Sequence, residues 1–503
     1  MGSSAARKID AIFSGAAPAF REKLNECQGH FAFIVDTPEF TLACVDKIRS
    51  TPLFYSSESQ SCYISNSARR LQSKRNLFRP HADSILEFNM AGYVTGLRSL
   101  CEDLFQLQAG EYLFVDKKSG QVQREDYYLF SPNKLNPKSD DELLDELDQV
   151  SRKVFFRLIE SLNGRPVWLP LSGGLDSRWI LAMLRELKYD RIVTFSYGKP
   201  GHPEVARAKI IAEKLSVSWR FVEYPPQRTR RLYDSDDRRK YSDFADGLSS
   251  VPALNDYYAI SFLQEQDLIP HDAIFINGQT GDFLTGGHIP KNIVRSSQHP
   301  RQFILEEIIS KHLSLWINLK TPENLKRVSA NIIEQLHLDD KNYSQQEVAQ
   351  KFELWEWRER QAKFVVNGQR IYEWFGYDWR LPCWDDELML FWQNIPWNQR
   401  FQQALHKKYL NTKNFGGVFN DFYMGPHPLQ NWERLAIYAL IFYGKMSKQE
   451  PQRLIHKYLE YFTNYAPFYI QKSYREFLKD SYWHRNACSY FVKDYLKTNH
   501  FQI

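Results

Sequence analysis

Two kinds of hydrophobic period divide the chain. Up to about residue 130, apolar and polar positions alternate in short runs broken by turn residues. His30-Phe31-Ala32-Phe33-Ile34-Val35, Thr41-Leu42-Ala43-Cys44-Val45 and Tyr112-Leu113-Phe114-Val115 are examples. A period of two predicts β-sheet. A polar stretch with two prolines, Ser131 to Lys138, then marks a boundary. We place it between units 1–132 and 133–503.

Beyond the boundary the period lengthens. Ser139 with Glu142 makes a capping box that predicts a helix to about Leu162. Pro166 to Leu171 reads as a buried strand, Ser177 to Leu187 as a helix and Arg191 to Tyr197 as a second strand. Pro203 to Leu215 follows as a helix, Trp219 to Tyr224 as a third strand, Ala253 to Gln264 as a helix and Ala273 to Ile276 as a fourth strand. This alternation predicts an α/β unit built on a parallel sheet. From about Phe303 the pattern is helical with no clean strand.

Composition changes this picture little. The hydrophobic set is 43% and the charged set 25%, as in ordinary globular proteins. The aromatics, 34 Phe, 28 Tyr and 13 Trp, predict a large ring-rich core. A net charge of +5 with no long basic block argues against nucleic acid as a partner. The short cluster Arg228 to Arg231 with Arg238, Arg239 and Lys240 reads as a solvated loop. The six cysteines form no CxxC pair, which argues against a zinc knuckle or redox dithiol. Without a signal peptide or an apolar run of spanning length, a cytoplasmic setting is expected. Leu435 to Tyr443 is apolar but short and reads as a buried helix.

Candidate chemistry concentrates at Ser172-Gly173-Gly174-Leu175-Asp176-Ser177. The segment follows a strand and opens a helix, the place where parallel sheets bind ligands. Its glycines admit close backbone approach, and the helix N-terminus favours an anion. Ser172 and Ser177 add hydroxyl donors. An aspartate beside phosphate calls for a cation, so Asp176 is assigned to Mg²⁺. The bland alternative is a strand-to-helix turn with a capping serine.

The hexapeptide is identified as the signature of the ATP pyrophosphatase (PP-loop) family, which cleaves ATP between its alpha and beta phosphates. Four further stretches resemble the asparagine synthetase branch. Ser196-Tyr197-Gly198 resembles its adenine-contacting strand end. Ile276 to Gly287 resembles Gly-Glu-Gly-x-Asp-Glu-x-x-Gly-Gly, which puts Gly278 at the nucleotide and Asp282 on the second Mg²⁺ aspartate. Gln279 and Phe283 stand where that motif has glutamates, so Gln279 is a weakened catalytic candidate. Phe375 to Asp385 resembles Gly-x-Glu-x-Arg-x-Pro-Phe-Leu-Asp, with Asp378 on a glutamate that is catalytic in β-lactam-forming relatives. Residues 20 to 130 resemble a class II glutamine amidotransferase domain through Gly29 to Phe33, Asp46 to Tyr55 and Gln108 to Tyr112.

The resemblance implies a truncated, β-rich N-terminal-nucleophile-type domain, then a PP-loop synthetase domain with a helical C-terminal region. It implies ATP and Mg²⁺ as cofactors, held by Leu171, Ser172, Gly173, Gly174, Asp176, Ser177, Ser196, Tyr197, Gly198, Gly278 and Asp282. It also implies a cationic residue at the acyl centre, for which Lys413 is favoured over Lys407 and Lys408. The sequence begins Met1-Gly2-Ser3-Ser4 where active amidotransferases have Met-Cys-Gly, so glutamine hydrolysis is not expected. The expected reaction joins a carboxylate, of a small molecule or glycan, to an amine or ammonia by way of an acyl adenylate. The segments Asp246 to Pro252, Gly286 to Pro290 and Leu381 to Leu388 resemble homologues of bacterial surface-polysaccharide loci. A homodimer is compatible with all of this. Three alternatives stay open: an inactive scaffold, an intramolecular cyclase of the β-lactam or lasso-peptide kind, and transfer-RNA thiolation through Cys383.

Overall fold

The computed structural model describes residues 18–58, 61–132, 135–420, 473–480 and 483–501, with isolated helical positions between 435 and 461. Met1 to Ser4 lie outside the described residues. The N-terminal region is β-rich, as its period of two predicts. The strands are β1 (Ala32–Asp36), β2 (Phe40–Val45), β3 (Phe54–Glu58), β4 (Ser61–Ser65), β5 (Phe105–Gln106), β6 (Glu111–Asp116) and β7 (Val122–Asp126). They form two antiparallel sheets, ordered β1-β2-β6-β7 and β4-β3-β5.

The second region carries a parallel sheet of β8 (Val167–Pro170), β9 (Ile192–Gly198), β10 (Ser218–Glu223), β11 (Ile274–Ile276) and a late strand, Asp378–Arg380. Its order is β10-β9-β8-β11 and then the late strand. The chain steps outward from β8 through β9 to β10, then returns to the far side of β8. That reversal opens a crevice at the carboxyl ends of β8 and β11. Helix Asp140–Leu162 keeps its capping box and buries Leu143, Leu147, Val154, Phe155, Leu158 and Leu162 along one stripe. Each such side chain contributes about 1.5–3 kcal/mol.

Four expectations need correction. The late strand and a short pair, Gln298–Pro300 with Asn342–Ser344, show that the region after Phe303 is not strand-free. The late strand is short and lies inside a motif dominated by rings and loop residues, so no period marks it. The helix expected from Ala253 begins at Tyr257, after a turn at Asn255 and Asp256. The basic cluster lies on two helices, Pro226–Tyr233 and Asp236–Ala245, with Arg228 paired to Glu265 at 2.6 Å and stacked on Phe262. Of the stretch Leu435 to Tyr443, Leu435, Tyr438, Ala439 and Phe442 are exposed, Ile437 and Ile441 are half-buried, and residues 436, 440 and 443 lie outside the described residues.

Apolar packing crosses the expected boundary. Helix Ala487–Thr498 packs on helix Ala82–Ala91, with the Phe88 and Tyr495 rings 5.0 Å apart. The Tyr495 hydroxyl donates to Asp246 at 2.8 Å. No helix among the described residues is long and apolar enough to cross a membrane.

Candidate active site at the sheet's carboxyl edge

β8 ends at Pro170, and the next residues cross the sheet edge into helix Leu175–Glu186. The cap residue Gly174 has no side chain to satisfy the first-turn amides, which stay open toward an anion. Two serines brace the turn. The Ser172 amide donates to Ser177 Oγ at 3.2 Å, and the Gly174 amide to Ser172 Oγ at 3.1 Å. Beneath the turn, the Gly173 carbonyl accepts from Arg178 at 2.7 Å and Arg207 at 3.2 Å.

The loop after β11 presses directly on this turn. A Cβ on Gly278 would stand 2.6 Å from the Ser177 amide nitrogen, and one on Gly281 would collide with the Asp176 carboxyl carbon. Between them Thr280 adopts φ 79, a costly conformation for a β-branched residue. Two hydrogen bonds hold it: Thr280 Oγ1 donates to Gln361 at 3.0 Å and accepts from Trp384 Nε1 at 3.1 Å. Strain of this kind, over-determined by its surroundings, concentrates at functional sites.

The close approach juxtaposes two carboxylates. The Asp282 amide donates to Asp176 Oδ2 at 3.1 Å, while Asp176 Oδ1 is buried without a partner. Burial, and then the Asp282 charge, push the Asp176 carboxyl up to about 7. Burial acts the same way on Asp282, yet the hydrogen bond and charge of His288 hold it below the ordinary carboxylate range. His288 Nε2 lies 2.9 Å from Asp282 Oδ2, and its Nδ1 bonds Glu356. Burial opposes protonation of His288, but Glu356 and Asp282 push it up to about 9. Glu356 is fully buried and also accepts from Lys311 at 3.2 Å.

These donors fit Mg²⁺ that arrives with phosphate. Asp176 Oδ1 is an orphaned hard oxygen beside a second carboxylate. Among the described residues no cluster of three metal-ligating side chains exists. Magnesium is typically held by one or two carboxylates, with phosphate and water completing its shell.

All of this opens on a cavity of about 850 Å³. Leu171, Ser172, Gly174, Asp176, Ser177, Ser196, Tyr197, Gly278, Gln279 and Asp282 line it. The Ser196 hydroxyl is engaged by the scaffold, donating to the Leu171 carbonyl at 2.6 Å, so its strand presents mainly backbone. The Tyr197 hydroxyl donates to Asp256 at 2.6 Å.

Other predicted site residues fall outside the cavity. Gly173 packs against Arg207 and does not line the cavity, nor does Gly198, at the end of β9. Asp378 pairs with Arg165 at 2.6 Å at the amino end of its strand, opposite Ile274, and does not line the cavity. Lys413 pairs with Asp148 at 3.4 Å, Lys408 with Asp140 at 3.2 Å, and Lys407 donates to the Gln402 carbonyl at 2.7 Å. Gln279 lines the cavity, but its carboxamide accepts from Gln369 at 2.7 Å and cannot act as a base. Cys383 is buried with its thiol pushed up by burial, which argues against thiolation.

The opposite wall was not foreseen. It comes from Lys311 and His312, from Arg360, Gln361 and Phe364, and from Arg485 to Cys488 with Phe491. Residues 357–365 form a π-helix continuing helix Gln345–Glu356. Long π-helices are rare and cluster at functional sites. His288, directly after Gly286-Gly287, was the one signal the sequence carried for this wall.

Among curated proteins, the comparison found no match. The family model described as asparagine synthase matches residues 161–413, half of the chain, including both cavity loops, His288, Lys311, Glu356 and Arg360. The chain therefore belongs to the asparagine synthase family, whose members are ATP-dependent amide-forming ligases.

Proposed function

We propose that this protein is an AMP-forming carbon–nitrogen ligase. A carboxylate oxygen of the substrate attacks the alpha phosphorus of ATP, the bond to the beta-phosphate oxygen breaks, and pyrophosphate leaves. The nitrogen of ammonia or an amine then attacks the acyl carbon, loses a proton, and AMP departs with the acyl C–O electron pair. The observation that carries this reading is the Asp176–Asp282 pair, with its orphaned oxygen, at the lip of an uncapped helix N-terminus.

The open amides after Ser172 would take the alpha phosphate, and the edge of β9 at Ser196 and Tyr197 the adenine. Asp176 and Asp282 would hold Mg²⁺, which when bound offsets phosphate charge. Lys311 takes the place given to Lys413, because it lines the cavity. Unit 1–132 then serves as a structural partner to unit 133–503, with nitrogen supplied as ammonia or an amine. Burial pushes the thiols of Cys44, Cys62 and Cys101 up, which leaves these cysteines poor nucleophiles. The acid is a small molecule or sugar acid, and the setting a cytoplasmic one.

The test is pyrophosphate release against a panel of carboxylates, with ammonia, amines or glutamine as separate nitrogen sources. Release should need a carboxylate, and product should form with ammonia or an amine. Product formed from glutamine alone contradicts the assignment of unit 1–132. The Gln279 carboxamide favours a second reading, an inactive scaffold. Calorimetry with Mg-ATP separates the two, since a scaffold of this kind shows no binding.

A further inference from the structure

The cavity's two sides differ in charge. Its acids, Asp176, Glu204, Asp256 and Asp282, all come from loops and helix starts at the sheet edge. Asp256 is buried and held by Tyr197 and Tyr372. The far side carries Lys311, Arg360 and Arg485. Behind this side Glu356 is fully buried and already bonded by His288 and Lys311. Glu359, next to Arg360 in sequence, points away and bonds Lys363 and the Gly96 amide.

Arg360 is half-buried on the π-helix and rests on the Phe364 ring, 5.1 Å from its centre. Among the described residues no carboxylate pairs with it. It stands close enough to Lys311 and Arg485 for its charge to add to the lowering that burial imposes on both, and at Cys488 it opposes the rise caused by burial. By contrast, the charges acting on Asp176 are those of Asp282 and His288. Arg360 belongs to the helical side of the cavity, on the π-helix 357–365. An unpaired guanidinium in a cavity wall is a planar anion receptor. Apolar side chains, Leu315, Phe364, Val365 and Phe491, line much of the same side, beside the polar His312, Gln361 and Asn486. At about 850 Å³ the cavity is near the top of the roughly 300–1,000 Å³ range for one small ligand. It has room for a nucleotide and an acid together.

We infer that the Arg360 wall binds a second anionic group on the acid being activated, so that the substrate is a diacid with an apolar body and no ammonium group. This rests on the ligase reading above. An ammonium on the same end of the substrate would face Lys311, Arg360 and Arg485, so a simple amino diacid fits poorly.

The test is an equilibrium titration of the full chain, loaded with Mg²⁺ and α,β-methylene ATP. The probes are adipate, its monomethyl ester and aspartate. Adipate should bind about tenfold tighter than the ester, the worth of one charge-assisted hydrogen bond, and tighter than aspartate. Arg360→Gln should abolish that preference while keeping nucleotide-analogue affinity, and Arg360→Lys should restore part of it. Retained analogue binding shows that a variant is folded. Equal binding of adipate and ester to wild type, no binding of either to the loaded protein, or equal weakening of both by Arg360→Gln overturns the inference. Aspartate binding as tightly as adipate overturns the exclusion of ammonium. If wild type does not bind the analogue at all, the ligase reading itself fails.

Discussion

The two walls of the cavity are built by different means. The sheet-edge wall is made of backbone: open amides, glycines that let two loops touch, and carboxylates held by main-chain donors. The helical wall is made of long side chains converging on one buried acid, Glu356, from helix Arg301–His312, from the residue after a glycine pair and from a π-helix. The first wall suits a nucleotide common to many enzymes. The second suits what distinguishes this one, because side chains can change while the backbone cradle stays.

That division can be broken experimentally. The largest effect is expected at the hub of the helical wall. Glu356→Ala leaves His288 and Lys311 without their buried partner and should cost about 3–5 kcal/mol of stability, measured by denaturant unfolding. Next, Asp176→Ala or Asp282→Ala should lower carboxylate-dependent pyrophosphate release by about 10²–10³-fold with little change in folding. Gly281→Ala forces a Cβ into the Asp176 carboxyl and should cost about 1–3 kcal/mol, visible as a lowered unfolding midpoint together with lost nucleotide affinity.

A smaller effect concerns pH. His406 is buried against Trp179 and Trp392 with both ring nitrogens unpartnered, and burial pushes it down to about 3. The unfolded chain takes up this proton near the ordinary histidine value of about 6.5. Stability should therefore fall as pH drops below that value and keep falling toward about 3, at up to about 1.4 kcal/mol per pH unit. His406→Phe should flatten that limb; an unchanged acid slope contradicts it. The smallest effects are expected outside both walls. Asp378→Asn and Lys413→Ala break partly exposed ion pairs, so each should shift stability by at most about 1 kcal/mol and leave pyrophosphate release intact.

What the sequence revealed follows the same division. Ser172 to Ser177 and Asn277 to Asp282 were legible as loops because glycines follow a buried apolar run in each, and both lie at one cavity. Strands β8 to β11 were legible for the same local reason: short apolar runs between turn residues. Asp378 and Lys413 stand outside the cavity, and motif spacing says nothing about which edge of the sheet a residue faces. Lys311 and Arg360, on helices, and Arg485, in the loop before helix Ala487–Thr498, were missed because a lone cation has no local mark of burial. The π-helical register of 357–365 is fixed by tertiary contacts such as Trp357 Nε1 to the Lys47 carbonyl at 2.9 Å, not by a residue pattern.

The most direct measurement is the identity of the nucleotide products when the protein turns over ATP with a diacid and ammonia or an amine. AMP and pyrophosphate should form in equal amounts, dependent on the acid and on Asp176 and Asp282. ADP and phosphate, or cleavage that ignores loss of both aspartates, would contradict it.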